Sequence, residues 1–270
     1  MISDIKSALD SAISETAAVH SDGKQFSRQR KLALDTMLRL LIGAEGGSLG
    51  KITREAGVDV TPAALSQRRT QIAPDVFREV FNRFNAACTD NETFRGYRVL
   101  AVDGTAVNMP RNPAAPSFVC NESAPHGYNQ LHLNPLFDIC NRTYFDAIVQ
   151  PESQKDEIGA LVEMLRRNEF GRKTIILCDR GYEGYWPLGV MIERPNVDFV
   201  LRVKQNHSAM REIARLPMCE LDCSISFSLT TTQTNEDKRL RRIHISVPKK
   251  SKPGSKTKRS RWDLPSPYTM

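Results

Sequence analysis

The run Thr174-Ile175-Ile176-Leu177-Cys178 leads directly into Asp179-Arg180-Gly181-Tyr182, and it decides how the second half of the chain is read. A short apolar, β-branched run that stops at a turn signal marks a strand covered on both faces. The pattern recurs upstream. Arg98 to Ala106 reads as one strand, in which Val99-Leu100-Ala101-Val102 runs into Asp103-Gly104-Thr105. Gln130 to Cys140 and Tyr144 to Gln150 read as an antiparallel hairpin turned at Asn141-Arg142-Thr143, after a loop rich in Pro and Asn. Asp156 to Asn168 carries Ile158, Leu161, Val162 and Leu165 on one helical face, and Gly171 ends it. A helix from Tyr185 to Ile192 and a strand from Asp198 to Val203 follow. Three strands and then alternating helices and strands imply an α/β fold, a mixed sheet with flanking helices.

Residues 1–92 read differently, as a helical segment. Phe26 to Ile42 bears an apolar stripe of Leu32, Leu34, Met37, Leu38, Leu41 and Ile42. Lys51 to Val58 reads as a short helix, and Thr61-Pro62 as the start of another, because threonine caps free amides and proline suits the first helical position. A further helix runs from Asp75 with Val76, Phe77, Val80, Phe81 and Phe84 on one side. Two short helices across a glycine-containing turn, the second carrying Gln67, Arg68 and Arg69, resemble a helix-turn-helix, a pattern that other small helical bundles share. Arg68 and Arg69 are its candidate DNA contacts. Residues 93–207 form the expected α/β core, and 208–270 an expected β-rich insertion. There, Cys223 to Thr230 and Arg242 to Val247 alternate apolar with polar residues.

A chain of 270 residues makes one large domain or two modest ones. Its 40% hydrophobic and 26% charged residues exclude wholesale disorder and fibrous classes. Lys plus Arg outnumber Asp plus Glu by 38 to 31, a net charge of +7 that favours a polyanionic partner. The excess is concentrated: Lys238 to Trp262 holds eleven Lys or Arg and no acidic residue. Lys249, Lys250, Lys252, Lys256, Lys258 and Arg259 in that run are candidate phosphate contacts, with a merely solvated loop as the alternative. No run approaches the ~18 apolar residues of a membrane span, so no membrane partner is expected. Met1 to Asp10 lacks the basic start and apolar core of a signal peptide. The six cysteines form no Cys-x-x-Cys, as expected for reduced thiols in the cytoplasm. His126, His132 and His207 lack ligand spacing and are assigned no metal.

Chemistry is expected at Asp103 and Asp179, each ending an apolar strand at the rim of the sheet. Read singly, each is an ordinary turn residue. Together on neighbouring strand ends, two like charges call for a cation between them, and hard oxygens suit Mg²⁺ or Mn²⁺. Such ions activate water and stabilise the leaving oxygen in phosphodiester cleavage. Arg180 and Tyr182 are further candidate DNA contacts beside the pair, with packing or salt-bridging to a neighbour as the alternative, and Lys204 is a candidate phosphate contact, with a solvated strand terminus as the alternative.

Ala101-Val102-Asp103-Gly104-Thr105, Leu177-Cys178-Asp179-Arg180-Gly181-Tyr182 and Phe199-Val200-Leu201-Arg202-Val203-Lys204 together resemble the core motifs of DDE transposases of bacterial insertion sequences, insertion sequence family four in particular. His126-Gly127-Tyr128 and Asn134-Pro135-Leu136-Phe137-Asp138 add to the likeness. The resemblance implies a ribonuclease-H-like sheet interrupted by a β-rich insertion. It also implies Mg²⁺-dependent cleavage and transfer of double-stranded DNA at element ends and target, with Asp103 and Asp179 as the first two of three metal-binding acids. A homodimer is an allowed assembly. The family carries its third acid in a Tyr-Arg-Glu-Lys signature, which this chain lacks, so a truncated, weakly active or inactive form is expected. Two other readings stay open: a non-catalytic DNA-binding regulator of transposition, and a nuclease whose third acid is Glu157 or Glu183.

Neutralising Lys249, Lys250, Lys252, Lys256, Lys258, Arg259 and Arg261 should flatten the salt dependence of DNA binding. Each lost phosphate contact lowers the slope of log affinity against log salt by about 0.9. An unchanged slope in a salt titration of the variant would show that the loop is only a solvated linker.

Overall fold

A computed structural model describes residues 2–20, 31–44, 48–88, 92–204, 208–217, 219, 221–225, 227 and 243–247. The chain divides into two compact units, Met1–Asn91 and Glu92–Met270. The first unit holds, among its described residues, helices α1 (Ile2–His20), α2 (Leu34–Ile42), α3 (Leu49–Glu55), α4 (Pro62–Arg69) and α5 (Pro74–Ala87). Their apolar stripes close on one core of Ala12, Ile13, Leu34, Met37, Leu38, Leu65, Val76 and Val80. Thr61 caps α4 as its sequence implies, with Oγ1 accepting the Ala64 N–H at 3.2 Å. Gly57, at a φ of +66°, makes the turn between α3 and α4 in a conformation that costs other residues more.

The second unit is built on a seven-stranded mixed sheet. Its strands are β1 (Arg98–Val102), β2 (Thr105–Met109), β3 (Phe118–Asn121), β4 (Ala124–Asp138), β5 (Thr143–Pro151), β6 (Thr174–Cys178) and β7 (Val197–Leu201). The main path runs β2-β4-β1-β6-β7, and β3 and β5 also pair with β4. β1, β6 and β7 are parallel to one another, while β4 is antiparallel to β1, β2, β3 and β5. Helices α6 (Glu157–Arg167) and α7 (Tyr185–Glu193) cross between the parallel strands. A short helix α8 (Arg211–Ala214) and an antiparallel pair, β8 (Leu221–Ile225) with β9 (Ile243–Val247), follow. This is a mixed α/β architecture, a mixed sheet with flanking helices, preceded in the chain by the helical unit.

Two local expectations are corrected. The single strand expected over Arg98 to Ala106 is two strands, β1 and β2, separated at Asp103-Gly104. Both lie along the same edge of β4 in one continuous register, from Leu100↔Asp138 to Met109↔Asn129. The lapse has a cause in β4. The Ile139 N–H donates to the Val99 carbonyl at 3.0 Å. Antiparallel ladders repeat that role every second residue, which assigns the donor facing residue 103 to Pro135, and proline has no N–H. The Pro- and Asn-rich stretch is also more ordered than expected: it contains β3 and the beginning of β4.

α6 holds the sheet from one face. Asp156 caps it, its Oδ1 accepting the Gly159 N–H at 2.8 Å. Leu161, Val162, Met164 and Leu165 bury against Leu100, Val102, Leu136, Ile176 and Cys178. At its other end Arg167 Nε donates to Asp146 Oδ2 at 2.8 Å, tying the helix to β5. Beyond β7, Met210, Ile213 and Leu216 pack with Leu188 of α7 in a smaller cluster.

Leu161 is fully buried in the larger cluster. Leu161→Ala should cost about 2–4 kcal/mol of stability in the second unit, by lost transfer energy plus a cavity. Trp186 packs against this core, so a change in its fluorescence during urea unfolding reports the second unit. A loss below about 1 kcal/mol would contradict the packing described.

Candidate functional site

β1 and β6 lie side by side and parallel, and their last paired residues are Val102 and Cys178. Asp103 and Asp179 are the next residues on each strand. Adjacent strands are about 4.8 Å apart, so the topology delivers two carboxylate-bearing residues to one spot at the carboxyl end of the parallel strands. Both are exposed. Asp103 Oδ1 accepts the Gly104 N–H at 2.8 Å. Arg202, just after β7, places Nη1 3.5 Å from Asp179 Oδ1. The neighbouring Cys178 thiol is buried and pushed up to about 12, so it takes no part as a thiolate.

Glu157 of α6 stands beside Gly104 and Gly181, the glycines downstream of the two aspartates. Glu157 is the first residue of that helix. Its Oε1 lies 2.9 Å from His132 Nε2 and 3.1 Å from Lys155 Nζ. A methyl group on Gly104 would collide with His132 and stand 2.5 Å from Glu157 Oε1, and one on Gly181 would stand 3.8 Å from Glu157 Oε2. Glu157 therefore sits between the two glycines that follow Asp103 and Asp179. Tyr182 lies beneath them, 1% exposed, and its hydroxyl has no hydrogen-bond partner among the described residues. Burial raises the phenol's pKa, and the charges of Glu157, Asp103, Cys178 and Asp179 push it the same way.

Glu183 is spent on structure. It is buried, with Oε2 accepting the Lys204 N–H at 2.8 Å and Oε1 accepting the Ala209 N–H at 2.8 Å and the Ser208 hydroxyl. It pins the chain leaving β7 and has no oxygen to offer the aspartates. Among the described residues no group of three or more His, Cys, Asp and Glu side chains is drawn together closely enough to hold an ion. The two aspartates and the orphaned Tyr182 hydroxyl nonetheless suit a hard divalent cation with its water, which prefers oxygen ligands.

The expected DNA contacts fall into four groups. Arg69, Arg180 and Lys204 are exposed. Arg68 is half-buried, with Nε donating to the Leu32 carbonyl at 3.3 Å and Nη1 to Gln71 Oε1 at 2.6 Å, bonds that brace the helical unit. Tyr182 is core rather than surface, a correction to its candidacy as a DNA contact: it is 1% exposed and packs with Val102 and Cys178, the packing alternative. Lys249, Lys250, Lys252, Lys256, Lys258 and Arg259 lie outside the described residues. Sequence reasoning left His132 without a partner. The signal available was its place on the alternating buried face of β4 with Asn134, Leu136 and Asp138.

Among the described residues no helix is long and apolar enough to cross a membrane. No curated protein matches the chain. Residues 94–265 match the model of the transposase DDE domain, a span that contains Asp103, Glu157 and Asp179. Domains of this family generally use divalent metal ions and act on DNA. The match extends over more than half of the chain, and the protein belongs to the transposase DDE domain family.

Proposed function

We propose that the protein is a DDE-type transposase of the insertion sequence family four kind, binding the ends of a mobile element and cleaving and joining DNA with Mg²⁺ or Mn²⁺. The observation that carries this reading is the parallel register Val102↔Cys178, which puts Asp103 and Asp179 side by side within a transposase domain. In this reading residues 1–92 hold the element end, 93–207 carry the chemistry and 208–270 supply a basic, β-rich insertion that follows phosphates. DNA as substrate and the absence of any Cys-x-x-Cys fit a cytoplasmic protein. A homodimer would allow two ends to be handled together.

Asp103 and Asp179 would hold the divalent ion, which when bound acidifies a water and neutralises charge on a scissile phosphate. Arg202 shares Asp179 at 3.5 Å and is placed to meet a phosphate oxygen. Tyr182 packs in the buried cluster with Val102 and Cys178, the residues that precede the two aspartates. The buried cluster of Leu100, Val102, Ile176 and Cys178 keeps the two strands in register, so the aspartates need no reorganisation.

The Tyr-Arg-Glu-Lys signature of the resembled family does not occur in these 270 residues. We assign slow or absent strand transfer to this chain alone, since a misplaced attacking group costs ~10²-fold in rate. The same observation favours a second reading, a DNA-binding regulator that occupies element ends without cutting them.

The test is Mn²⁺-dependent nicking of DNA that carries an element end, with binding measured in parallel. The transposase reading expects slow nicking that Asp103→Asn and Asp179→Asn each abolish, with DNA affinity within about twofold of the parent because neither residue is a phosphate-binding cation. Binding with no nicking at any enzyme concentration would favour the regulator. Nicking that survives both substitutions would contradict the site.

A further inference from the structure

We propose that Glu183 is a positioning residue for a DNA phosphate: it holds the chain leaving β7 so that Arg202 and Lys204 stand preset beside Asp179 as a two-cation clamp. The inference rests on the reading of that rim as the place where DNA is handled. Glu183 acts through the two cations and touches no DNA itself.

The strand ends carry it. β6 stops at Cys178 and its chain turns away over Arg180–Tyr182, while the chain of β7 runs on past Leu201. The Arg202 N–H still donates to the Cys178 carbonyl at 3.0 Å. A parallel ladder repeats every second residue, so the Lys204 N–H would next be met by the carbonyl of residue 180. That carbonyl accepts the Glu183 N–H instead, at 3.4 Å. Glu183 Oε2 takes its place and accepts the Lys204 N–H at 2.8 Å. Oε1 of the same carboxylate accepts the Ala209 N–H at 2.8 Å and the Ser208 hydroxyl. One side chain therefore grips the backbone on both sides of residues 205–207. It is 7% exposed, and a charge that deep is costly to bury unless donors such as these meet it.

What the grip presents is cationic. Val203 packs with Leu188 and Met210. Extended backbone sends neighbouring side chains the opposite way, and Arg202 and Lys204 are both exposed. Arg202 Nη1 lies 3.5 Å from Asp179 Oδ1, and Lys204 spends its backbone rather than its ammonium on the fold. Arginine and lysine in this setting offer a fork and a point charge to phosphate oxygens. Glu183 is only four residues beyond Asp179, so the turn that carries the aspartate also fixes the cations across from it. The sign of its effect sets positioning apart from charge. As an anion Glu183 repels DNA, whereas as a brace it favours binding.

The experiment is a salt titration of duplex DNA binding by the full 270-residue chain, read by fluorescence anisotropy, with thermal melting to verify that each variant folds. The paired variant Arg202→Gln with Lys204→Gln should lower the slope of log affinity against log salt by about 1.8, at about 0.9 per phosphate contact. Glutamine has one oxygen where the carboxylate has two, so in Glu183→Gln one gripped N–H faces an amide donor. Glu183→Gln should weaken binding and lower the slope by about 0.9 or more, and should add nothing to the paired variant. Tighter or unchanged binding at the parent slope, with the paired variant lowered, would overturn this inference and leave the DNA reading standing. If the paired variant keeps the parent affinity and slope, no phosphate is met there, and the inference falls with the reading it rests on. Tyr185→Phe breaks the neighbouring hold on Glu212 and the Arg211 N–H without touching Lys204, and should keep the parent slope. An equal fall in that variant would show that any loosening of the segment suffices, against a particular role for Glu183. If Glu183→Gln does not fold, Ser208→Ala decides, because it takes a donor from Oε1 and keeps the charge: a slope below the parent's supports the inference, and the parent slope overturns it.

Discussion

The parallel pairing of β1 with β6 is the constraint on which the rest of the site depends. Five consecutive pairs, Arg98↔Thr174 to Val102↔Cys178, hold two apolar strands in register. Their side chains alternate between the faces of the sheet, and Leu100, Val102, Ile176 and Cys178 bury under α6. A slip of one residue would turn every one of those side chains to the other face, so the hydrophobic core sets the register. Because the register is set, the residues after the last pair are set as well, and both are aspartates. Placement of the two charges at the sheet's rim follows from apolar packing some residues away.

β4 supplies the second half of the geometry. It runs past the end of β6 and carries β1 and β2 on one edge, so the backbone continues along it after Asp103. Pro135 withholds the one donor that would have closed the ladder there. Gly104 then leaves room for His132 of β4 and Glu157 of α6 to approach the strand end. A proline, a glycine and a helix start thus shape the backbone just after Asp103, where Glu157 approaches Gly104. Asp156 completes it, since by capping α6 it fixes where Glu157 begins.

Much of this was legible in the chain. The strand ending at Asp179, the α6 stripe and the hairpin of β4 with β5 show as periodicity, because each buries a regular face. Thr61-Pro62 announced α4 through cap chemistry that is local in sequence. What stayed hidden depends on partners far along the chain. The break between β1 and β2 is invisible in Val102-Asp103-Gly104-Thr105, since its cause, Pro135, lies on another strand. The pairing of His132 with Glu157 joins residues 25 apart on different elements. Tyr182, a candidate DNA contact with packing as its alternative, is core: the short 3-10 turn Arg180–Tyr182 after the aspartate buries its ring with Val102 and Cys178. Glu183 and Glu157 look alike as candidates in the sequence, and the backbone and hydroxyl donors that hold Glu183 show that carboxylate to be structural.

The proposed chemistry requires β1 and β6 to present Asp103 and Asp179 as one cation-holding pair. Anomalous diffraction from crystals of the protein grown with Mn²⁺ tests it most directly. A peak is expected at the carboxyl end of the two strands, about 2.0–2.6 Å from a carboxylate oxygen of both Asp103 and Asp179. A Mn²⁺ peak bound by only one of them, or found only elsewhere on the protein, would contradict it.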